Sequence, residues 1–220
     1  MCVDCGTYKS ALAIDRNAIY MGEYWSLQND HNTIAEHQHN VAIHREHDLT
    51  KNEFTLQAIK TQLRGCALEI ACAPGNLLND LQNKADFKRV IGIEPNPKYQ
   101  SEILGIAGPK TELLIGFFPT ATEILKDGCC DLIIGLDIFE HIDDPVPFLA
   151  ECRRLLKFGG QLLLMTPLMH DKFDPRFFHA IEHVWIHSVR HIEQLLADGF
   201  SPPRYSAWTT GHEMISAYAV

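Results

Sequence analysis

The sequence predicts an α/β fold with a doubly wound, mostly parallel sheet that ends in an antiparallel β-hairpin. Three observations predict it. From residue 66 onward, short apolar runs alternate with helix-patterned stretches, the order that builds a parallel sheet covered by helices. The runs are continuously apolar, as strands must be when both faces are covered. The chain then closes with two strand-like stretches around Thr209-Thr210-Gly211-His212.

The elements follow in order. Asn52 to Arg64 carries Phe54, Leu56, Ile59 and Leu63 at roughly helical spacing, with Gly65 as a stop, and predicts a helix beside the first strand. Strands are predicted at Ala67–Ile70, Val90–Ile93, Leu113–Ile115, Asp131–Leu136 and Gln161–Met165. Helices are predicted at Asn76–Asn83, Lys98–Ile106, Ala121–Leu125, Pro147–Leu156 and Val189–Leu196, the last begun by Ser188 as N-cap and closed by Gly199. Arg204–Trp208 and Met214–Val220 form the terminal hairpin.

Composition bounds the setting. The 220 residues are 46% hydrophobic and 21% charged, which suits one domain over residues 51–220, preceded by a polar segment over residues 1–50. The formal net charge is −9 and no run of Lys or Arg exceeds two residues, so no long nucleic acid is expected as a partner. No stretch reaches the roughly 18 apolar residues of a membrane helix, and no signal pattern opens the chain. No membrane association and a cytoplasmic location are expected. The seven cysteines are an odd number, and Cys66, Cys72, Cys130 and Cys152 sit in apolar contexts, as reduced, buried thiols do.

The stretch Cys66-Ala-Leu-Glu-Ile-Ala-Cys-Ala-Pro-Gly75 holds the chemistry. Glu69 stands at the entrance of a small-residue loop, and Glu94 ends the second apolar run. Asp131 to His141, Pro145 to Gly160 and Gln161 to Pro167 follow at matching distances. In that order residues 66 to 205 resemble the class I S-adenosylmethionine (SAM)-dependent methyltransferases. The resemblance implies a Rossmann-like sheet, SAM as cofactor, and methyl transfer that releases S-adenosylhomocysteine. It implies cofactor contacts at Glu69, Ala71, Cys72, Ala73, Gly75, Glu94, Pro95, Phe117 and Asp137, with Glu69 organising the methionine end and Glu94 accepting from the ribose hydroxyls.

Two departures from the family pattern stand out. Ala71 and Ala73 occupy positions that the family fills with glycine. Each adds a methyl group and disfavours positive φ, so the cost is small only if both keep φ negative. Gly116-Phe117-Phe118 also takes the place where many relatives carry an acid for the adenine amine, which leaves stacking and backbone contacts to hold adenine. A Rossmann domain for another nucleotide such as NAD would normally keep the first two glycines and would not account for the segment around Glu140.

Asp137-Ile-Phe-Glu140-His141 falls where the reacting methyl group should sit. His141 could act as general base toward a substrate hydroxyl or amine. Alternatively Asp137, Glu140 and His141, with His183 of the later Glu182-His183 pair, could hold a divalent metal, as ubiquinone-biosynthesis O-methyltransferases and small-RNA 2′-O-methyltransferases do with a similar motif. A third reading has the acids capping the turn and contacting SAM while His141 bonds to backbone. A divalent metal is not expected as a required cofactor. His187 and His191 continue a four-residue spacing from His183 and are read as surface or packing residues.

Cys2-Val-Asp-Cys5-Gly resembles one knuckle of a zinc ribbon, with His37 and His39, or His44 and His47, as partners of unusual spacing. Residues 1–50 are therefore a candidate lid or a remnant metal-binding lobe, and Tyr20, Tyr24 and Trp25 a candidate pocket wall or anchor. The expected function is methyl transfer to a small-molecule acceptor, through oxygen or nitrogen more than carbon. The alternatives are a catalytically inactive SAM-fold binding module and a metal-dependent O-methyltransferase. The acceptor and the oligomeric state are left open.

Overall fold

Alternate residues of each central strand feed two separate cores, because helices cover both faces of the sheet. In the computed structural model, residues 2, 4–11, 21, 49–60, 62–108, 111–169, 183–209 and 211–220 are described. Strand β1 spans Tyr8–Lys9, β2 Cys66–Ile70, β3 Arg89–Glu94, β4 Thr111–Ile115 and β5 Cys130–Leu136. The sheet continues with β6 Leu156–Met169, β7 Trp185–Ser188, β8 Arg204–Thr209 and β9 His212–Tyr218. Leu68, Ile70, Ile91, Ile93, Ile133, Leu162 and Leu164 enter one core. Ala67, Val90, Leu132, Ile134, Leu163 and Met165 enter the other. This period of two with both faces buried explains the unbroken apolar runs.

Helices α1 (Asn76–Asn83), α2 (Gln100–Ala107), α3 (Pro145–Leu155) and α4 (Val189–Leu196) supply the covering layers. Leu77, Leu78, Leu81 and Ile103 close one side, and Phe148, Leu149, Cys152, Ile192 and Leu196 the other. Two caps fix where helices begin: Asp144 accepts from the Val146 N–H ahead of α3, and Ser188 accepts from the His191 N–H ahead of α4.

The central order is β4-β3-β2-β5-β6, all parallel. β9 runs antiparallel to β6 and β8 antiparallel to β9, which forms the expected terminal hairpin. The end of β6 also pairs with β7 at Leu168 and Met169, and β1 adds antiparallel to β7. Chain order reverses between β2 and β5, so the crevice beyond their carboxyl ends is where such a sheet binds ligands.

Two predicted helices differ from the observed structure. The one expected over Asn52–Arg64 is helical at residues 49–58 and stops there. The buried Gln161 side chain ends it by donating to the Ala58 carbonyl at 2.8 Å and accepting from the Lys60 N–H at 2.8 Å. Gly65 is needed for another reason: a Cβ there would lie 2.0 Å from the Asp131 carboxylate. The helix expected over Ala121–Leu125 is a 3₁₀ turn at Thr120–Thr122 followed by turns. Arg154 holds it in that form by donating to the carbonyls of Thr122 and Leu125. Both endings come from side chains distant in sequence.

Candidate active site

The loop after β2 turns away from the sheet through Ala71, at φ 59°, and reaches α1 through Gly75, at φ 103°. Ala71 therefore takes the left-handed conformation that its methyl group disfavours, at roughly 1–2 kcal/mol; Ala73 does not. Cys72 is pinned by its N–H to the Ile93 carbonyl at 3.1 Å, and burial pushes its thiol up. The bend opens a cleft of about 770 Å³ beyond the carboxyl ends of β2, β3 and β5.

Acids surround that cleft. Glu69 lines it, 7% exposed, with Oε2 buried and without a hydrogen-bond partner. Burial raises its carboxyl well above the usual range, and the nearby Lys51 charge opposes the rise. Glu94 lines it from β3, its carboxylate held by the Asn96 N–H at 2.9 Å and by the Ala73 N–H. Pro95 and Phe117 complete that end, with Phe117 partly exposed. Asp137, at φ 51°, follows β5 and anchors its N–H on the Met165 carbonyl at 2.9 Å. Its Oδ2 accepts from Lys51 Nζ at 3.1 Å, while Oδ1 is buried without a partner.

A 3₁₀ turn at Phe139–His141 brings up the second group. Glu140 is 1% exposed and accepts from Thr166 Oγ1 at 2.9 Å. Its carboxyl is pushed up to about 7, first by burial, then by Asp137, with His183 opposing. His141 Nε2 stands 4.0 Å from Glu140 Oε1, and the His141 and His183 rings meet edge-on at 4.9 Å. Backbone locks the two segments together through the Val184 N–H on the Glu140 carbonyl at 2.8 Å, joined by Trp185 Nε1 on the Ile142 carbonyl at 2.8 Å. Potential ligand atoms of Glu140, His141 and His183 all lie within 4.8 Å of one another. Asp137 stands outside this trio and pairs with Lys51 instead.

His187 belongs to packing. It is fully buried, stacked on Phe139 and Trp185, with Nδ1 3.0 Å from Nδ1 of His191. Burial first, then His191, drives its pKa down to about 3. Cys2 and Cys5 lie in a turn closed by the Cys2 N–H on the Thr7 carbonyl and the Gly6 N–H on the Cys2 carbonyl. The backbone N–H groups of Cys5 and Asp4 lower the Cys2 thiol. His37, His39, His44, His47, Tyr20, Tyr24, Trp25 and Glu182 lie outside the described residues. Sequence reasoning missed Lys51, Asn52, Tyr99, Asp143 and His212, which also line the cleft. Lys51 carries no local motif and stands just ahead of the helix predicted from Asn52, so no signal in the sequence marked it.

The family profile described as "Methyltransferase domain" matches residues 68–164. Residues 68–164 thus resemble a methyltransferase domain, on a fold of the class I SAM-dependent kind. An uncharacterized 37.1 kDa transposon protein of Streptomyces fradiae is 32% identical to this chain over 117 residues, covering 51% of the chain and 33% of that protein. The ubiquinone biosynthesis O-methyltransferase of Caulobacter vibrioides is 31% identical over 102 residues, covering 45% and 39% respectively. The chain thus spans between a third and two fifths of these relatives' lengths. Among solved structures, geranyl diphosphate C-methyltransferase from Streptomyces coelicolor, in complex with Mg²⁺, geranyl diphosphate and S-adenosylhomocysteine, aligns with TM-score 0.60 at 16% identity over 77% of each chain.

The cleft fits SAM on its own chemistry. Glu69 presents an unpartnered, buried carboxylate oxygen at one end, and backbone N–H groups hold Glu94 at the other. Among the described residues no helix is long and apolar enough to cross a membrane.

Proposed function

We propose that this protein transfers the methyl group of SAM to a small-molecule acceptor through an oxygen or nitrogen nucleophile, releasing S-adenosylhomocysteine. The observation that carries the reading is that His141 lines the same cleft as the strand-end acids Glu69 and Glu94. When bound, SAM supplies a methyl group already activated by its sulfonium. The chain's residues then need to orient the acceptor, exclude water and take a proton. Neutral His141 accepts the proton of a hydroxyl or amine, and Glu140 beside it favours the protonated imidazole. The net charge of −9 supports a small acceptor over a long nucleic acid. Free thiols at all seven cysteines suit a reducing cytoplasm.

The convergence of Glu140, His141 and His183 favours a second reading, a divalent metal that holds acceptor oxygens. Methyl transfer from labelled SAM to a panel of hydroxyl and amine acceptors, with and without chelator, tests both. Turnover indifferent to chelator and reduced at least 100-fold by His141→Ala supports the base. Loss on chelation that Mg²⁺ restores, and that His183→Ala reproduces, supports the metal. Binding of S-adenosylhomocysteine with no turnover on any acceptor would favour a binding module.

A further inference from the structure

The amino-terminal turn carries chemistry that methyl transfer does not use. Cys2 is exposed and Cys5 half-buried, both as free thiols. The turn that joins them is closed by the Gly6 N–H on the Cys2 carbonyl at 2.9 Å and the Cys2 N–H on the Thr7 carbonyl at 2.8 Å. Gly6 supplies the positive φ, 74°, at its end. The fold-back brings the two sulfurs together: the Cys5 thiol and the backbone N–H groups of Cys5 and Asp4 all donate to the Cys2 sulfur. An accessible sulfur ringed by donors is the reactive member of a Cys-x-x-Cys pair, with the second sulfur in reach to resolve it. Cys66, Cys72, Cys130 and Cys152 are buried and lack that access.

The same turn is fastened to the segment beside the candidate base. The Ser188 hydroxyl donates to the Cys5 carbonyl, and the Ser188 N–H donates to Thr7 Oγ1 at 3.0 Å. β1 pairs with β7 at Tyr8–Ile186 and Lys9–Trp185, and the Ser10 N–H reaches the Val184 carbonyl at 2.7 Å. Lys9 Nζ stands over the Trp185 ring, 4.4 Å from its centre. Val184 and Trp185 in turn hold the Glu140 and Ile142 carbonyls, on either side of His141. A line of hydrogen bonds therefore runs from the thiol pair to the 3₁₀ turn at Phe139–His141.

We propose that Cys2 and Cys5 form a reversible dithiol–disulfide site for low-molecular-weight disulfides such as glutathione disulfide, and that closing the bond tightens β1 on β7. The Cys2 thiolate attacks one sulfur of the external disulfide, forming a mixed disulfide and releasing one thiolate. The Cys5 thiol then loses its proton and attacks the Cys2 sulfur, closing the Cys2–Cys5 bond and releasing the second thiolate. Two electrons pass to the external disulfide, and the protons of both cysteines end on the two thiols released. The bond removes freedom from the turn that presents the Cys5 carbonyl and Thr7 to Ser188, so β1 leaves β7 less often. In a reducing compartment the pair rests as two thiols and closes when the thiol pool becomes oxidised. This couple works whatever acceptor the cleft takes.

Peptide mapping of the folded protein, treated with glutathione disulfide and then unfolded and alkylated, tests the bond without any turnover. Trypsin releases Met1 to Lys9 as one peptide that holds Cys2 and Cys5 and no other cysteine. Treatment is expected to remove two hydrogens from this peptide and block both of its alkylations, and dithiothreitol to reverse the change. Cys5→Ser should trap glutathione on Cys2, and Cys2→Ser should slow reaction at Cys5 by about tenfold or more. Amide hydrogen exchange reads the coupling. The Ser10, Val184 and Ser188 N–H groups should exchange about threefold or more slowly in the oxidised protein, with no such change in treated Cys2→Ser. A peptide that keeps both alkylations would overturn the proposal, as would glutathione held on Cys2 of the unsubstituted protein with no Cys2–Cys5 bond. Zn²⁺ bound in equimolar amount that shields both thiols from glutathione disulfide would make the pair a metal knuckle and overturn it too. Equal exchange in the reduced and oxidised proteins would sink the link to β7.

Discussion

β2 and β5 lie side by side, yet their two ends obey different rules. At the amino end Asp131 accepts from the Cys66 N–H at 2.7 Å and from Lys157 Nζ at 2.7 Å, in space that Gly65 leaves free. At the carboxyl end Glu69 Oε2 and Asp137 Oδ1 are buried without partners, and Ala71 and Asp137 hold positive φ. One end satisfies its polar groups; the other keeps unpartnered acid oxygens and strained backbone where a ligand would use them. Stability is therefore built into one edge of the sheet and surrendered at the other.

The largest expected effect sharpens this contrast through pH. His187 and Glu140 lie beneath the carboxyl edge with opposite sensitivities. A histidine held at about 3 contributes stability above its unfolded pKa near 6.5, which is lost as pH falls toward 3. A carboxyl raised to about 7 favours the fold below its unfolded pKa near 4.5, an effect lost as pH rises through 7. Between about pH 4.5 and 6.5 the two oppose each other, so the unmodified protein should vary little there. In urea melts at pH 4, His187→Phe should recover on the order of 3 kcal/mol relative to its value at pH 7. Glu140→Gln should lose stability more steeply on acidification than the unmodified protein. Parallel pH profiles in all three proteins would remove the titrating pair.

At the opposite edge Asp131→Ala should cost about 2 kcal/mol, chiefly through the unpaired Cys66 N–H. Lys157 is half exposed, so its share is discounted for solvent screening. Asp131→Asn should cost less than about 1 kcal/mol, and both variants should bind S-adenosylhomocysteine as before. A binding loss from Asp131→Ala would mean that the two edges are coupled. The smallest effect is expected at Ala71. Ala71→Gly relieves the left-handed strain and adds backbone entropy to the unfolded chain, for a net gain of about 0.5–1 kcal/mol in thermal melts. Its affinity for S-adenosylhomocysteine should hold or rise. Destabilisation by this change would show that the Ala71 methyl group is a packing contact and that the loop carries no strain.

Glu69, Glu94 and the Glu140-His141 pair were legible in the sequence because each sits at a strand end or in a turn with a recognisable local pattern. Their contact with a common cleft follows from the strand order. Asp137 was legible as a site residue, but its separation from the Glu140, His141 and His183 trio was not, because that depends on Lys51, 86 positions away. The predicted helices over Asn52–Arg64 and Ala121–Leu125 miscarried similarly. Their apolar spacing is real, but Gln161 and Arg154 bind the carbonyls on which a longer helix would depend.

By itself the sequence determined the alternation of strands and helices, the two-sided burial of the sheet, and the strand-end acids. Those properties follow from periodicity and from residues close together in the chain. Only the tertiary structure decided which acids go unpartnered, which loop residue carries positive φ, and that one lysine from the helix ahead of the sheet faces two carboxylates. Each of these depends on groups that meet across the fold, where burial and charge are set by neighbours that no local pattern contains.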